Sequence, residues 1–194
     1  MAGAQLEALG DERAIPELID DIDNMTRIVN QLIDVAEADT LTIAPGDVAD
    51  LRAVCAEVAS FMAPIAVASG KSIAVSGAAD PVWVEGNAAA LFQAIRNLVE
   101  NAITHTAPGT TVDLAVGPDG SVVVRDEGAG IPQEQRDLIF QRFWRGDRRR
   151  AGSAGLGLSI VARIVKVHGG SISVTDAPTR GAAFAINLRR AAIG

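Results

Sequence analysis

Residues 91–131, LFQAIRNLVENAITHTAPGTTVDLAVGPDGSVVVRDEGAGI, contain the change of residue pattern that decides the fold. Over 91–106 the apolar side chains recur at spacings of three and four, which predicts an amphipathic helix. Residues 111–116 and 121–125 flank the turn sequence GPDG at 117–120, and their β-branched and apolar residues predict a hairpin of two strands. A helix is therefore followed closely by paired antiparallel strands.

The chain on either side of this stretch shows the same two kinds of pattern. Two further helices are predicted at 49–68 and 155–168, and the second stops at Gly169-Gly170. Short strands are predicted at 72–75, 82–84, 171–175 and 183–188. Helices and strands in this order predict an α+β fold, a two-layer α/β sandwich over residues 47–194, preceded by a linker at 42–47 that contains Pro45-Gly46.

Residues 15–36 carry a heptad pattern. Apolar side chains recur at alternating spacings of three and four along one seam, formed by Ile15, Leu18, Ile22, Met25, Val29, Leu32 and Ala36. This spacing is typical of a helix that packs against other helices, and Ile19, Ile28 and Ile33 widen the seam in the way a helical bundle requires. The alternative is an amphipathic helix packed on its own domain. Residues 1–41 are predicted to form a helical segment separate from the sandwich.

Composition limits the classes of function. The 194 residues carry a formal net charge of −7, which disfavours binding to nucleic acid or to an anionic membrane. The single Cys55 cannot form an internal disulfide, which suits a reducing cytoplasm. The sequence shows no signal-peptide pattern and no run of 18 apolar residues. We therefore expect a cytoplasmic domain that makes no membrane contact of its own.

Two asparagines lie on one face of the predicted 91–106 helix. Asn97 and Asn101 are four residues apart, so their side chains point the same way and can offer carbonyl oxygens to one cation. Mg²⁺ accepts such ligands together with phosphate oxygens and water. An ordinary solvated helix face is the alternative, and the two asparagines alone favour it.

Two glycine-containing segments can approach a ligand closely. Residues 126–131, DEGAGI, follow a predicted strand, and the Asp126 carboxylate can accept a hydrogen bond from an amine such as adenine N6; a simple turn fits the same residues. Residues 155–158, GLGL, open a predicted helix whose free N–H groups can hold phosphate. Their spacing is that of neither a P-loop nor a dinucleotide fingerprint. Residues 140–150 between the segments end in consecutive arginines, which predicts either a charge-neutralising lid or a solvated basic loop.

The ordered set of motifs resembles the nucleotide-binding boxes of bacterial sensor histidine kinases. Residues 97–102 resemble the N box, 126–130 the first glycine box, 140–143 the F box, 155–158 the second glycine box, and 181–184, GAAF, the end of the domain. The resemblance covers about residues 47 to 190 and implies the Bergerat ATP-binding fold. The helix at 15–36, which leads into Asp39-Thr40, resembles the second helix of the family's dimerisation hairpin. Residues 1–41 are therefore expected to be part of that hairpin.

The resemblance also implies an activity and its cofactors. It implies a catalytic module that binds ATP and Mg²⁺ and transfers the γ-phosphate to a histidine, for relay to a response regulator. In the full-length protein it implies a homodimer formed through the hairpin and an anchor in the inner membrane. Asp126 would bind the adenine amine, Asn101 would bind Mg²⁺ with Asn97 beside it, and Gly128 and Gly130 would shape the pocket.

The remaining expected roles are less specific. Arg142 and Arg145 would reach the γ-phosphate, and His105 would lie near the sugar or phosphates. Glu100 would polarise a water molecule or the acceptor, unless it is a surface acid. The other expected nucleotide contacts are Thr104, Ile131, Gly155, Leu156, Gly157 and Leu158.

Several positions depart from the family pattern. Thr104 replaces an often basic residue, Ser153 an often present glycine, and Ala182 a frequent hydroxyl residue, so nucleotide affinity is expected to be lower than usual. The two histidines, His105 and His168, lack the context of the phosphoacceptor box. We therefore expect the chain to begin after the acceptor and not to autophosphorylate alone. The alternatives are a serine kinase of the anti-sigma-factor type, which the heptad helix disfavours, and a degenerate module that binds a nucleotide or a partner protein.

Overall fold

The computed structural model describes residues 28–144 and 155–192, together with positions 18, 19, 22, 25, 26 and 146. The first helix, α1, covers residues 28–40. The elements that follow in chain order are β1 (Val48–Asp50), α2 (Leu51–Ala68), β2 (Ser72–Gly77), β3 (Trp83–Glu85), α3 (Ala88–His105), β4 (Thr111–Val116), β5 (Ser121–Arg125), α4 (Gly157–Val167), β6 (Ser171–Asp176) and β7 (Ala182–Asn187).

Five strands form one mixed sheet in the order β2-β4-β5-β7-β6. β2 runs parallel to β4, and every other neighbouring pair is antiparallel. Alternate side chains of β4 and β5, such as Leu114 and Val124, are buried, as a sheet with one covered face requires. Helices α2, α3 and α4 pack on the strands, and the predicted α+β two-layer sandwich is confirmed.

The prediction of a helix from residue 49 is wrong at its start. Val48–Asp50 forms β1, which pairs antiparallel with Trp83–Glu85. The Asp50 carboxylate then accepts a hydrogen bond from the Arg52 N–H at 3.0 Å, so Asp50 caps the helix and α2 begins at Leu51. By length and composition alone α2 is a candidate membrane span. Its buried residues, however, pack against α3 and β2, as those of a core helix do.

The heptad seam of the N-terminal helix points away from the sandwich. Five seam residues, Leu18, Ile22, Met25, Val29 and Leu32, are between 50% and 65% exposed. Ala36 is exposed as well, and Ile15 lies outside the described residues. Val35 and Ala38, near the end of α1, pack on the core instead. Packing on its own domain therefore accounts for only the last turns of the helix.

Candidate nucleotide site

Asp126 lies directly after β5 and is 7% exposed. Its Oδ1 accepts hydrogen bonds from the N–H groups of Gly128 at 2.8 Å and of Ala182 at 3.1 Å. No lysine or arginine among the described residues forms an ion pair with this carboxylate. A buried carboxylate that is fixed by backbone donors on one oxygen suits recognition of a further donor, such as an exocyclic amine, on the other.

The first glycine box lies against the end of α3. A Cβ atom on Gly128 would lie 2.9 Å from the carbonyl oxygen of His105 and 2.9 Å from Asp126 Oδ1. A side chain at this position would displace either the helix end or the carboxylate. Gly130 and the half-buried Ile131 follow in the same loop.

The second glycine box meets α3 nearer its middle. Asn97 is 6% exposed, and its Nδ2 donates to the carbonyl oxygen of Gln93 at 2.9 Å. Its Oδ1 lies 3.2 Å from the position that a Cβ on Gly157 would occupy. One helix therefore contacts both boxes, at residue 97 and at residue 105. At 1.5 Å rise per residue, these contacts are about 12 Å apart along the helix axis.

The N-cap residue of α4 does not cap the helix with its own side chain. Leu156 precedes the helix, and its side chain makes no capping hydrogen bond. The first N–H groups of the helix therefore lack the partner that a serine or aspartate cap would supply. Leu156 is buried and Leu158 packs on the core, so these side chains anchor the helix. The Gly155 carbonyl oxygen accepts from the Phe143 N–H at 2.9 Å, which ties the F box to the second glycine box.

The other predicted contacts lie along α3 or in the segment after it. Glu100 and Asn101 are half-buried, whereas Thr104 and His105 are exposed. Thr104 Oγ1 donates to the carbonyl oxygen of Glu100 at 2.8 Å, a bond within the helix. Arg145 lies outside the described residues, as do residues 147–150 of the predicted lid. Among the described residues, no group of three or more histidine, cysteine, aspartate or glutamate side chains could hold a metal. The prediction for Mg²⁺ therefore depends on Asn101 and the phosphates.

Arg142 is directed to α1. Its Nη2 donates to Asp39 Oδ1 at 2.6 Å. Arg163 of α4 donates to the backbone carbonyl oxygens of Ala38 at 3.3 Å and Asp39 at 3.1 Å. The end of α1 is thereby joined to both the F box and α4. The role of Arg142 at the γ-phosphate stays a prediction.

Sequence reasoning missed several residues that hold the site. Arg180 donates to the carbonyl oxygen of Gly128, and Arg136 donates to that of Ile131. Asp39 and Arg163 join α1 to the domain. The only local signal for any of them was that Arg180 directly precedes the GAAF motif.

His168, the second histidine, has a structural role. It is buried, and its Nε2 accepts from the Asn87 N–H at 3.1 Å. Its Nδ1 lies 2.8 Å from the carbonyl oxygen of Ile164 and donates to it, because Nε2 is the acceptor. His168 therefore links the start of α3 to the end of α4.

A cavity of about 330 Å³ lies between the end of α1 and the start of α3, lined by Asp34, Glu37, Ala38, Leu41, Asn87, Ala89, Ala90, Gln93 and Arg96. None of the predicted nucleotide contacts lines this cavity. The cavity and the glycine boxes are therefore distinct features.

Comparison with known proteins identifies the family. Residues 86–192 match the family of histidine kinase-, DNA gyrase B-, and HSP90-like ATPases. The probable sensor histidine kinase TcrY of Mycobacterium tuberculosis is 36% identical over 174 residues, which cover 85% of this chain and 36% of TcrY. The sensor histidine kinase CpxA of Escherichia coli is 28% identical over 183 residues, which cover 92% of this chain and 40% of CpxA. The chain thus spans well under half the length of these relatives.

Solved structures agree with this assignment. The mycobacterial sensor histidine kinase MprB has a TM-score of 0.64 at 30% identity, covering 74% of this chain and 97% of that structure. Full-length ShkA in complex with AMPPNP has a TM-score of 0.72 at 27% identity, covering 89% of this chain and 37% of that structure. The chain belongs to the histidine kinase-, DNA gyrase B-, and HSP90-like ATPase family and contains the ATP-binding catalytic domain of a two-component sensor histidine kinase.

Proposed function

We propose that this domain binds Mg-ATP between its two glycine boxes and donates the γ-phosphate to a histidine other than His105 and His168. One observation supports the binding mode above all. Helix α3 contacts the first glycine box at His105 and the second at Gly157, through Asn97. The separation of about 12 Å along the helix is of the order of the distance from the base to the terminal phosphates of an extended nucleoside triphosphate.

Each end of this site has its own chemistry. Asp126 binds the adenine amine in the proposed complex, and the uncapped start of α4 binds the phosphates through backbone N–H groups. Asn101 contributes a side-chain oxygen to Mg²⁺, which neutralises phosphate charge when it is bound. Glu100, also half-buried on α3, is proposed to polarise the acceptor. The AMPPNP bound in the ShkA structure is an analogue of ATP, which supports ATP as the ligand here.

Phosphoryl transfer requires positioning and charge neutralisation more than covalent help from the protein. His168 cannot serve as the acceptor in the folded chain, because backbone groups engage both of its ring nitrogens. His105 belongs to the helix that contacts the first glycine box. We therefore propose that the acceptor lies on another segment or chain, and that a response regulator receives the phosphate from it, in the cytoplasm.

The exposed heptad seam supports a further part of the proposal. Leu18, Ile22, Met25, Val29 and Leu32 are at least half exposed, and burial of such a seam requires another helix. We propose that residues 1–41 belong to a dimerisation hairpin, separate from the catalytic domain at 47–194, and that the full-length protein is a homodimer. Sedimentation of a Leu32→Asp variant of the full-length protein tests this, and an unchanged dimer would contradict it.

Asp126→Asn tests the nucleotide assignment. The amide oxygen can still accept from Gly128 and Ala182, whereas its NH₂ group opposes the adenine amine with a second donor. The variant loses one hydrogen bond to the base and gains one donor–donor mismatch. The free energy of Mg-ATP binding should therefore weaken by about 1–3 kcal/mol, with little change in thermal stability. Asp80→Asn, the same substitution at an exposed position, is the control. Calorimetry that gave equal ATP affinity for wild type and Asp126→Asn would remove Asp126 from the site.

A further inference from the structure

The turn between β6 and β7 lies directly on the first glycine box. Gly181 has φ +97, and a Cβ there would lie only 2.0 Å from the carbonyl oxygen of Asp126. The neighbouring Ala182 exchanges two hydrogen bonds with Asp126. Its N–H donates to Asp126 Oδ1 at 3.1 Å, and its carbonyl oxygen accepts from the Asp126 N–H at 2.9 Å. The backbone at 181–182 therefore holds both the main chain and the side chain of Asp126.

Arg180 extends this contact from Asp126 to Gly128. Its Nε donates to the Gly128 carbonyl oxygen at 3.1 Å. The Gly128 N–H donates in turn to Asp126 Oδ1 at 2.8 Å. Gly128 is thus held on one side by a guanidinium and on the other by the carboxylate. A charged donor gives a hydrogen bond about twice as strong as that of a neutral one.

A second arginine holds the other end of the same loop. Arg136 Nε donates to the carbonyl oxygen of Ile131 at 3.1 Å, and its Nη2 pairs with Asp176 of β6 at 2.6 Å. Residues 126–132 form no helix or strand, so the loop lacks the backbone ladder that would fix it. The two arginines supply that restraint by connecting the loop to the β6–β7 unit.

We propose that Arg180 is a positioning residue for adenine recognition: through Gly128 it fixes the orientation of the Asp126 carboxylate that the exocyclic amine of the base meets. This inference rests on the proposed function, because it concerns the same nucleotide site. Arg180 acts on the base through Asp126 and not on the phosphates. Its effect therefore depends on the exocyclic amine of the nucleotide.

A comparison of ATP with ITP isolates that dependence, because inosine carries an oxo group in place of the adenine amine. Calorimetric titration of the full chain with the two magnesium nucleotides measures both affinities. Arg180→Ala should weaken ATP binding about fivefold, the equivalent of one net hydrogen bond, and leave the affinity for ITP unchanged. Arg180→Lys keeps a charged donor and should recover part of the ATP affinity. Arg189→Ala is the control, since Arg189 is 76% exposed and pairs only loosely with Glu85 at 3.9 Å.

Coupling to Asp126 provides a second readout. In an Asp126→Asn background, Arg180→Ala should cause no further loss of ATP affinity, because the group that it positions has been replaced. Arg180 is exposed, so the variant is expected to fold, and its melting temperature verifies this. If Arg180→Ala destabilises the chain, Arg180→Met serves as the alternative variant, because it keeps a long side chain without a donor, with the same expected split between ATP and ITP.

Two outcomes overturn the inference. One is an unchanged ATP affinity in Arg180→Ala. The other is an equal loss of affinity for ATP and ITP, which would mean that Arg180 acts on the sugar, the phosphates or the whole pocket. Failure of the proposed function looks different. In that case the wild-type chain itself binds neither nucleotide or does not prefer ATP to ITP.

Discussion

Arg142 is paired with Asp39 in this structure, so its guanidinium must leave that carboxylate before it can reach a phosphate. The pair is short, with 2.6 Å between Nη2 and Oδ1, but its side chains are 49% and 43% exposed. Ion pairs open to solvent contribute about 0.2–1 kcal/mol, because water and salt screen them. Release of Arg142 by Asp39→Ala should therefore tighten Mg-ATP binding by about 1.4- to 5-fold.

The substitution itself should leave α1 intact. Asp39 lies in the last turn of the helix, where a negative charge opposes the helix dipole and alanine is a better helix former. Arg163 keeps its bonds to the backbone carbonyl oxygens of residues 38 and 39. Asp34→Ala is the matched control, because Asp34 joins α1 to Arg96 at 2.8 Å and forms no described bond to Arg142. It should not tighten ATP binding.

The γ-phosphate provides the test of mechanism. ADP lacks that phosphate, so Asp39→Ala should bind Mg-ADP like wild type, and Arg142→Ala should abolish the gain with Mg-ATP. Calorimetric titrations at low ionic strength measure these affinities, and added salt should shrink the difference in Mg-ATP affinity between Asp39→Ala and wild type. Equal or weaker ATP binding by Asp39→Ala would refute the reasoning. So would a gain that persists in the Asp39→Ala, Arg142→Ala double variant.

Three further predictions concern buried groups. Burial raises the pKa of Cys55 to about 12, so the thiol should not react with a disulfide reagent in the folded chain. Because the thiol ionises at a lower pH in the unfolded chain, the free energy of unfolding should fall as pH rises above 9.0. Urea titrations of Cys55→Ala should lack this decline. His168 should acquire no label from γ-labelled ATP, as peptide mass spectrometry would show, and His168→Ala should lower the free energy of unfolding by about 1–3 kcal/mol, because the Asn87 N–H loses its partner while the Ile164 carbonyl oxygen keeps only its bond from the N–H of residue 168. Gly181→Ala should abolish ATP binding in calorimetry by displacing Asp126, whereas Gly109→Ala, at φ +85 with no atom within 4 Å of the added Cβ, should retain it.

Elements whose limits are set by neighbouring residues could be predicted well. The turn sequence at 117–120 predicted strands at 111–116 and 121–125, and both limits are confirmed. Apolar spacing predicted a helix at 91–106, and α3 begins three residues earlier, where the Asn87 side chain accepts from the Ala90 N–H and caps it. In each case the deciding interactions span only a few residues.

β1 shows where this kind of reasoning fails. Residues 48–50 precede an apolar helix and resemble its first turn in sequence, but they pair with 83–85, more than thirty positions away. A short strand of this kind exists only because its partner is brought beside it. No pattern within residues 48–68 carries that information.

By itself the sequence determined the helices, the hairpin and the order of the glycine and asparagine motifs, because spacing, turn residues and helix starts are local properties of the chain. Only the tertiary structure decided which side chains hold those motifs in place. Arg142 meets Asp39 across 103 positions, and Arg180 meets Gly128 across 52. Such contacts depend on how α1, the sheet and the loops pack, and a lone arginine in a loop has no periodicity that would reveal its partner.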